Sequence, residues 1–139
     1  MSKNIKITDK EKFITNTLIG YLDDPNTCAV DKQTATCLYL TSDNKKCAVG
    51  KHLKNGKWQD RRTTVTRLFK IYGKSNILTE EAFNMNLKNE IWQAMQNFHD
   101  SIVTEFQDNI KSKLEDLKKV TGYKFRKLSL KVSKFFISL

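Results

Sequence analysis

Apolar side chains return every three or four positions over long stretches of this sequence, which is the spacing of one face of an α-helix. The longest stretch covers 87–121, and its apolar positions are Leu87, Ile91, Met95, Phe98, Ile102, Phe106, Ile110, Leu114 and Leu117. Helices longer than ~25 residues are uncommon in globular domains, so we expect two helices here, with a break near His99-Asp100-Ser101.

Three further helices are marked by their ends. A helix over about 9–22 follows a T-x-x-E capping pattern and stops before Pro25, which cannot continue it. A second helix over about 62–72 ends at Gly73, where a left-handed cap would sit. Thr79, followed by two glutamates, reads as the start of the next helix, because acids suit the positive end of the helix dipole.

Two segments carry strand-like patterns. Residues 36–41, "TCLYLT", are β-branched and aromatic; the polar turn "SDNK" and then "KCAVG" follow them, which predicts a small hairpin. The tail 123–139 alternates briefly like a strand but fits a helical stripe over more residues, so we favour a helix. The predicted fold is α+β and mainly helical, with about five helices and one small β-hairpin, in a single domain over 1–139.

Positive charge is concentrated in two parts of the chain. The net charge is +10, and residues 44–70 hold nine basic residues and one acid, while 111–139 hold nine basic residues and two acids. Such asymmetry predicts a basic face for an anionic partner, although a merely solvated surface gives the same pattern. The basic tail could lie on a membrane, but a short chain needs its apolar face for the core. We therefore predict no membrane partner, and the lack of a signal sequence predicts a cytoplasmic location.

The basic segment with its aromatic residues is the strongest candidate for a binding site. Lysine and arginine can hold phosphates, and an exposed tryptophan or tyrosine can stack against a base. Trp58 fits a core position equally well. The predicted ligand-binding residues are Lys45, Lys46, Lys51, His52, Lys57, Trp58, Arg61, Arg62, Arg67 and Tyr72.

Catalytic and metal-binding motifs are scarce. Cys28, Cys37, Cys47 and His52 could form a tetrahedral zinc site, but their wide spacing favours free thiols, so we predict no metal and no cofactor. A nucleophilic Cys47 would need His52 or His99 within reach. Asp100 could orient the His99 imidazole; we favour the alternative, in which Asp100 caps the next helix and His99 is half-buried at a helix junction.

Three segments resemble a group of small uncharacterised bacteriophage and prophage proteins: "CLYLTSDNKKCAVGKHL", "IWQAMQNFHDSI" and "KFRKLSLKVSKFF". The shared positions are Cys37, Tyr39, Cys47, Ala48, Val49, Gly50, His99 and Asp100. This chain departs from the group after Gly50, where a basic "KHLKNGK" replaces an apolar, acidic stretch. The resemblance implies a viral accessory protein in the cytoplasm of a bacterial host, where such proteins counter host defence or redirect host machinery.

We favour a non-enzymatic protein of this phage type that binds an anionic ligand, either a nucleotide signal or a nucleic acid. A nucleotide pocket could form between subunits of a homo-oligomer. One alternative is an inhibitor whose basic face docks on an acidic host enzyme. A further alternative is a cysteine-dependent enzyme that uses Cys47 with His52 or His99.

Overall fold

The fold is built almost wholly from helices. The computed structural model describes residues 7–28, 30–31, 36–37, 39, 45–56, 64–103 and 107–137. The α-helices in these residues are α1 Ile7–Asp23, α2 Val65–Tyr72, α3 Lys74–Ile77, α4 Glu80–Asn84, α5 Asn89–Val103, α6 Gln107–Thr121 and α7 Arg126–Ile137. Two 3₁₀ turns cover Pro25–Thr27 and Gly50–His52, and one antiparallel pairing joins Val30–Asp31 to Thr36–Cys37.

The prediction of an α+β fold with a β-hairpin is wrong. Within the described residues, Thr36–Cys37 pairs with the preceding segment over two residues only, which is too short to form a layer of the fold. The "KCAVG" segment closes on itself instead. Lys51 N–H donates to the Cys47 carbonyl at 3.0 Å, and His52 N–H donates to the Val49 carbonyl at 2.9 Å. These local bonds curl residues 47–52 into a turn and satisfy part of its backbone.

Helix α5 runs through the predicted break. His99, Asp100 and Ser101 all lie inside α5, so the prediction of a helix junction here is wrong, and so is that of an Asp100 cap. His99 is fully buried, and the Ser101 hydroxyl donates to the Phe98 carbonyl at 2.6 Å, so these polar residues are satisfied within a continuous helix. Residues 104–106, between α5 and α6, lie outside the described residues.

The count of about five helices is also too low. Seven α-helices occur in the described residues because two short ones, α3 and α4, follow α2. Gly73 ends α2 with φ 82°, and Thr79 opens α4 by accepting a hydrogen bond from the Ala82 N–H, as expected from the sequence.

Trp92 of α5 stands where several elements meet. It is 1% exposed, and its ring makes edge contacts with Phe13 of α1 and Phe69 of α2, both at 6.1 Å between centroids. The His52 ring lies 5.7 Å from it. This aromatic cluster holds α1, α2 and the 3₁₀ turn against α5.

The tail is a helix rather than a strand, and it lies alongside α1. Phe125, Leu128 and Val132 are buried, which fills the apolar stripe seen in the sequence. Lys131 Nζ pairs with Asp23 Oδ1 at 2.6 Å near the end of α1. The first turn of α7 lies near the first half of α1, so the two helices run parallel.

Gly50 and Gly20 form a matched pair for testing this packing. A Cβ added at Gly50 would lie 1.9 Å from the Tyr39 carbonyl oxygen, whereas one at Gly20, within α1, would have no neighbour within 4 Å. We expect Gly50→Ala to lower the free energy of unfolding by about 3 kcal/mol or more. Gly20→Ala should raise it by about 0.5–1 kcal/mol. Urea unfolding followed by circular dichroism measures both, and equal effects would contradict the close approach at Gly50.

Candidate functional site

The structure describes only six of the ten residues predicted to form the basic binding surface. Lys57, Trp58, Arg61 and Arg62 lie outside the described residues, so their part of the prediction is unresolved by the structure. The described members are Lys45, Lys46, Lys51, His52, Arg67 and Tyr72.

Lys51 and His52 are directed at α1. Lys51 Nζ donates to the Thr17 carbonyl at 3.0 Å and lies 3.9 Å above the Tyr21 ring. Partial burial lowers the pKa of Lys51. His52 Nε2 lies 2.8 Å from Thr17 Oγ1, and the imidazole stacks on Phe13 with 4.5 Å between centroids. Both side chains therefore attach the 3₁₀ turn to α1.

The other described members are only partly available. Arg67 is exposed on α2, next to the equally exposed Lys70. Tyr72 is half-buried and packs against the core. The Lys46 carbonyl accepts a hydrogen bond from the Tyr21 hydroxyl at 2.6 Å, which fixes the backbone there, while the side chains of Lys45 and Lys46 are half-buried.

Tyr39 and the residues 47–50, which belong to the predicted family resemblance, are buried and lie close together. Gly50 packs directly on the Tyr39 backbone, and Gly50 N–H donates to Cys47 Sγ at 3.2 Å. Val49 N–H donates to Gln96 Oε1 at 3.3 Å. This network fastens an irregular loop to α5 by satisfying its buried polar groups.

Asp100 continues this network on α5. Gln96 Nε2 donates to Asp100 Oδ1 at 2.9 Å, and His99 Nδ1 lies 2.8 Å from the same oxygen. The Tyr21 ring meets the His99 ring edge-on, with 4.6 Å between centroids. Asp100 thus helps to orient a fully buried histidine.

The environment of Cys47 favours a structural role. Its side chain is fully buried, and burial raises the pKa of the Cys47 thiol to about 12, although hydrogen bonds from the Gly50 and Val49 backbone act against this rise. A nucleophilic cysteine needs a thiolate near neutral pH, in a partly exposed and electropositive setting. His52 is occupied with Thr17 and Phe13 instead.

No group of three or more cysteine, histidine or acidic side chains is placed to hold a metal ion within the described residues. Cys28 and Cys47 are free thiols there. Any zinc site of the predicted kind would depend on the Cys37 side chain, which lies outside the described part of the structure.

An open groove lies between α1 and the start of α7, beside several cationic side chains. We call it the α1–α7 groove, and its volume is about 610 Å³. One wall comes from the first half of α1, and the other from the turn before α7 and the first residues of that helix. The lining residues are Glu11, Lys12, Thr15, Asn16, Gly122, Tyr123, Lys124, Phe125, Arg126 and Lys127.

Four of these lining residues are cationic, against one carboxylate, that of Glu11. Lys12, Lys124, Arg126 and Lys127 are all exposed, and none makes an ion pair or side-chain hydrogen bond with another described residue. Thr15 adds a polar group from within the wall, because it is only 6% exposed and its hydroxyl has no hydrogen-bond partner among the described residues.

The backbone at the start of α7 adds further positive potential. Phe125 has φ 48°, and the right-handed helix begins at the next residue, Arg126. A left-handed residue followed by a right-handed one directs successive N–H groups into a shallow concavity that accepts anions. Phe125 has no side-chain acceptor to cap these N–H groups, and the first turn of α7 contains no acid.

The two basic stretches of the sequence lie on different sides of α1. Phe13, Thr17 and Tyr21 meet the loop and 3₁₀ turn, whereas Lys12 and Asn16 line the groove with α7. At ~100° per residue these two faces are roughly 120° apart around the helix axis. Lys51 and His52 therefore contact a different face of α1 from the one that lines the groove.

Sequence reasoning did not select the groove residues. The basic character of 111–139 was visible, and so was the glycine at position 122. The missing information was the pairing of α7 with α1, whose groove residues are more than a hundred positions away in the sequence. No local pattern marks Lys12 or Thr15 as their partners.

Comparison with known proteins adds no relative. Neither a protein family, nor a curated protein, nor a solved structure shows a significant match to this chain. The resemblance to phage proteins therefore stays a prediction from the sequence. No helix in the described part of the chain has the length and apolar character required to cross a membrane.

His52 makes the stability of the fold sensitive to acid. Burial is the main cause that lowers its pKa to about 4, from an ordinary value of 6.5. Because the unfolded chain binds this proton more readily, stability is complete above pH 6.5 and falls as the pH drops toward 4. The expected loss at pH 4 is about 3 kcal/mol. His52→Gln, which keeps a hydrogen-bonding group, should lack this pH dependence, so the difference in unfolding free energy between the two proteins should change between pH 6.5 and pH 4. Urea unfolding measures both pH profiles, and parallel profiles would contradict the prediction.

Buried thiols should resist modification in the native protein. Burial raises the pKa of Cys28 to about 12, as it does for Cys47. In a Cys37→Ser background, we expect Ellman's reagent to label both remaining thiols only at the rate of unfolding, and promptly in denaturant. Fast labelling of one thiol in the folded protein would show that a cysteine is accessible and reactive.

Proposed function

We propose that this protein is a non-enzymatic binding protein that takes up a phosphate-bearing anionic ligand in the α1–α7 groove. The observation that carries the proposal is the set of four exposed cations around that groove, none paired with another described residue. Cations gathered around one groove create a positive potential, and an anion bound there would gain charge-assisted hydrogen bonds.

Binding fits the site better than catalysis does. The groove holds one carboxylate, Glu11, and contains no histidine or cysteine. The two histidines and the described thiols are buried elsewhere and hydrogen-bonded or packed into the core. The general acid and base that most group-transfer reactions require are therefore not assembled beside the cationic side chains.

The choice of ligand follows from charge. Phosphate groups suit arginine and lysine side chains together with a helix start, which supports a nucleotide or nucleic acid rather than an acidic protein face. A phage-type accessory role in a bacterial host cytoplasm, and homo-oligomer formation, remain predictions from the sequence.

The test compares two double variants that remove the same charges from different surfaces. Arg126→Gln with Lys127→Gln empties one side of the groove, whereas Arg67→Gln with Lys70→Gln neutralises exposed positions on α2. In titrations with inorganic pyrophosphate at low salt, the groove variant should bind about tenfold more weakly or worse, and the α2 variant like the unaltered protein. Amide chemical shifts should move at 11–16 and 122–127.

Salt provides the second readout. Affinity for pyrophosphate should fall as the salt concentration rises, because the contacts are between charges. Loss of binding in the α2 variant alone would place the site on the 45–70 segment. Absence of saturable binding in the unaltered protein would reject the proposal, and a stoichiometric protein captured from nuclease-treated lysate through the basic segment would favour the inhibitor alternative.

A further inference from the structure

The chemistry of the groove indicates more than a bare anion. We infer that its ligand is a small nucleoside phosphate, with the phosphates at the start of α7 and the base near Tyr123. This inference rests on the proposed function, since it identifies the ligand of the same groove. Three features favour a nucleoside phosphate over inorganic phosphate: the Tyr123 ring, the Glu11 carboxylate and the volume of the groove.

The phosphate end is formed by backbone and side chains together. The concavity at Phe125-Arg126 presents N–H groups, and Lys124, Arg126 and Lys127 surround it. Thr15 lies in the α1 wall and is only 6% exposed. Its hydroxyl can donate a hydrogen bond to the ligand without giving up a partner among the described residues. One or two phosphates on a flexible chain match this group of donors.

Tyr123 supplies an aromatic face beside that end. Its ring is half-buried and packs edge-on against Phe125, with 5.8 Å between centroids, so its orientation is held by the core. A planar base can stack on such a preorganised ring, and stacking of this kind is worth about 1–3 kcal/mol. A simple phosphate or a sugar phosphate has no ring to place there.

Glu11 is the most informative member of the site. Its carboxylate is close enough to Tyr123 to raise the pKa of the phenol, an effect second to burial. A carboxylate in a groove for anions is unfavourable unless the ligand also brings hydrogen-bond donors. The hydroxyls of a ribose or an exocyclic amine of a base provide them, which argues for a nucleoside rather than inorganic phosphate.

The surroundings favour a short ligand over a polymer. At about 610 Å³ the groove has the volume of a small-molecule site. Farther along α7, Lys131 is already paired with Asp23 at 2.6 Å, so this lysine does not extend the row of unpaired charges. A nucleic acid strand would also bring further phosphates past Glu11, which repels them.

The experiment measures calorimetric affinities for common ribonucleoside 5′-diphosphates, ribose 5-phosphate, inorganic pyrophosphate and a single-stranded DNA oligonucleotide. We expect at least one nucleoside diphosphate to bind about tenfold tighter than pyrophosphate. Tyr123→Leu should remove that advantage and leave pyrophosphate binding unchanged, while the matched control Tyr123→Phe keeps it. Glu11→Ala should weaken the nucleotide but strengthen pyrophosphate, because a repelling charge is lost.

The possible outcomes distinguish failure of the nucleoside inference from failure of the proposed function. Pyrophosphate binding in the groove with no preference for any nucleoside diphosphate overturns the nucleoside inference and leaves the proposed function intact. Tighter binding of the oligonucleotide, with shifts at 11–16 and 122–127, overturns it in favour of nucleic acid. No binding of any probe overturns both. Thermal unfolding of each variant confirms that it is folded before its affinity is compared.

Discussion

Helix α1 is held between two different neighbours, and this arrangement determines which cations remain available for a ligand. On one side the 3₁₀ turn presses Lys51 and His52 onto Thr17, so two of the sequence's prominent basic side chains become structural. On the other side α7 lies parallel to α1 and leaves a groove at its first turn. The cations around that groove remain exposed, as do Arg67 and Lys70 on α2.

The loop that carries "CAVG" is irregular yet buried, and such a segment is stable only if its polar groups are satisfied. Cys47 accepts from the loop backbone, Gln96 joins the loop to α5, and Asp100 links Gln96 with His99. Cys47, His99 and Asp100 are among the positions on which the predicted family resemblance rests. In this structure they serve to fasten the loop to α5.

The α1–α7 groove combines several kinds of chemical group. Lys12, Lys124, Arg126 and Lys127 give it a positive potential that favours an anion. The half-buried Tyr123 and the carboxylate of Glu11 add an apolar face and an acceptor to the same small volume. The cations, the Tyr123 ring and the Glu11 carboxylate together suit a ligand that carries an anion, a planar ring and hydrogen-bond donors.

The sequence alone determined most of the long helices, because the 3.6-residue period and the caps at Gly73 and Thr79 are local properties of the chain. It missed the short helix α3 and placed the end of α5 too early. It misled about the hairpin, since the hydrogen bonds that curl residues 47–52 depend on burial against α5 and Tyr39. It also ranked Lys51 and His52 as ligand contacts, whereas tertiary packing turns both toward α1. Only the fold decided the candidate site, because Lys12 and Lys127 become neighbours through the packing of α7 on α1, and periodicity carries no information about which helices meet.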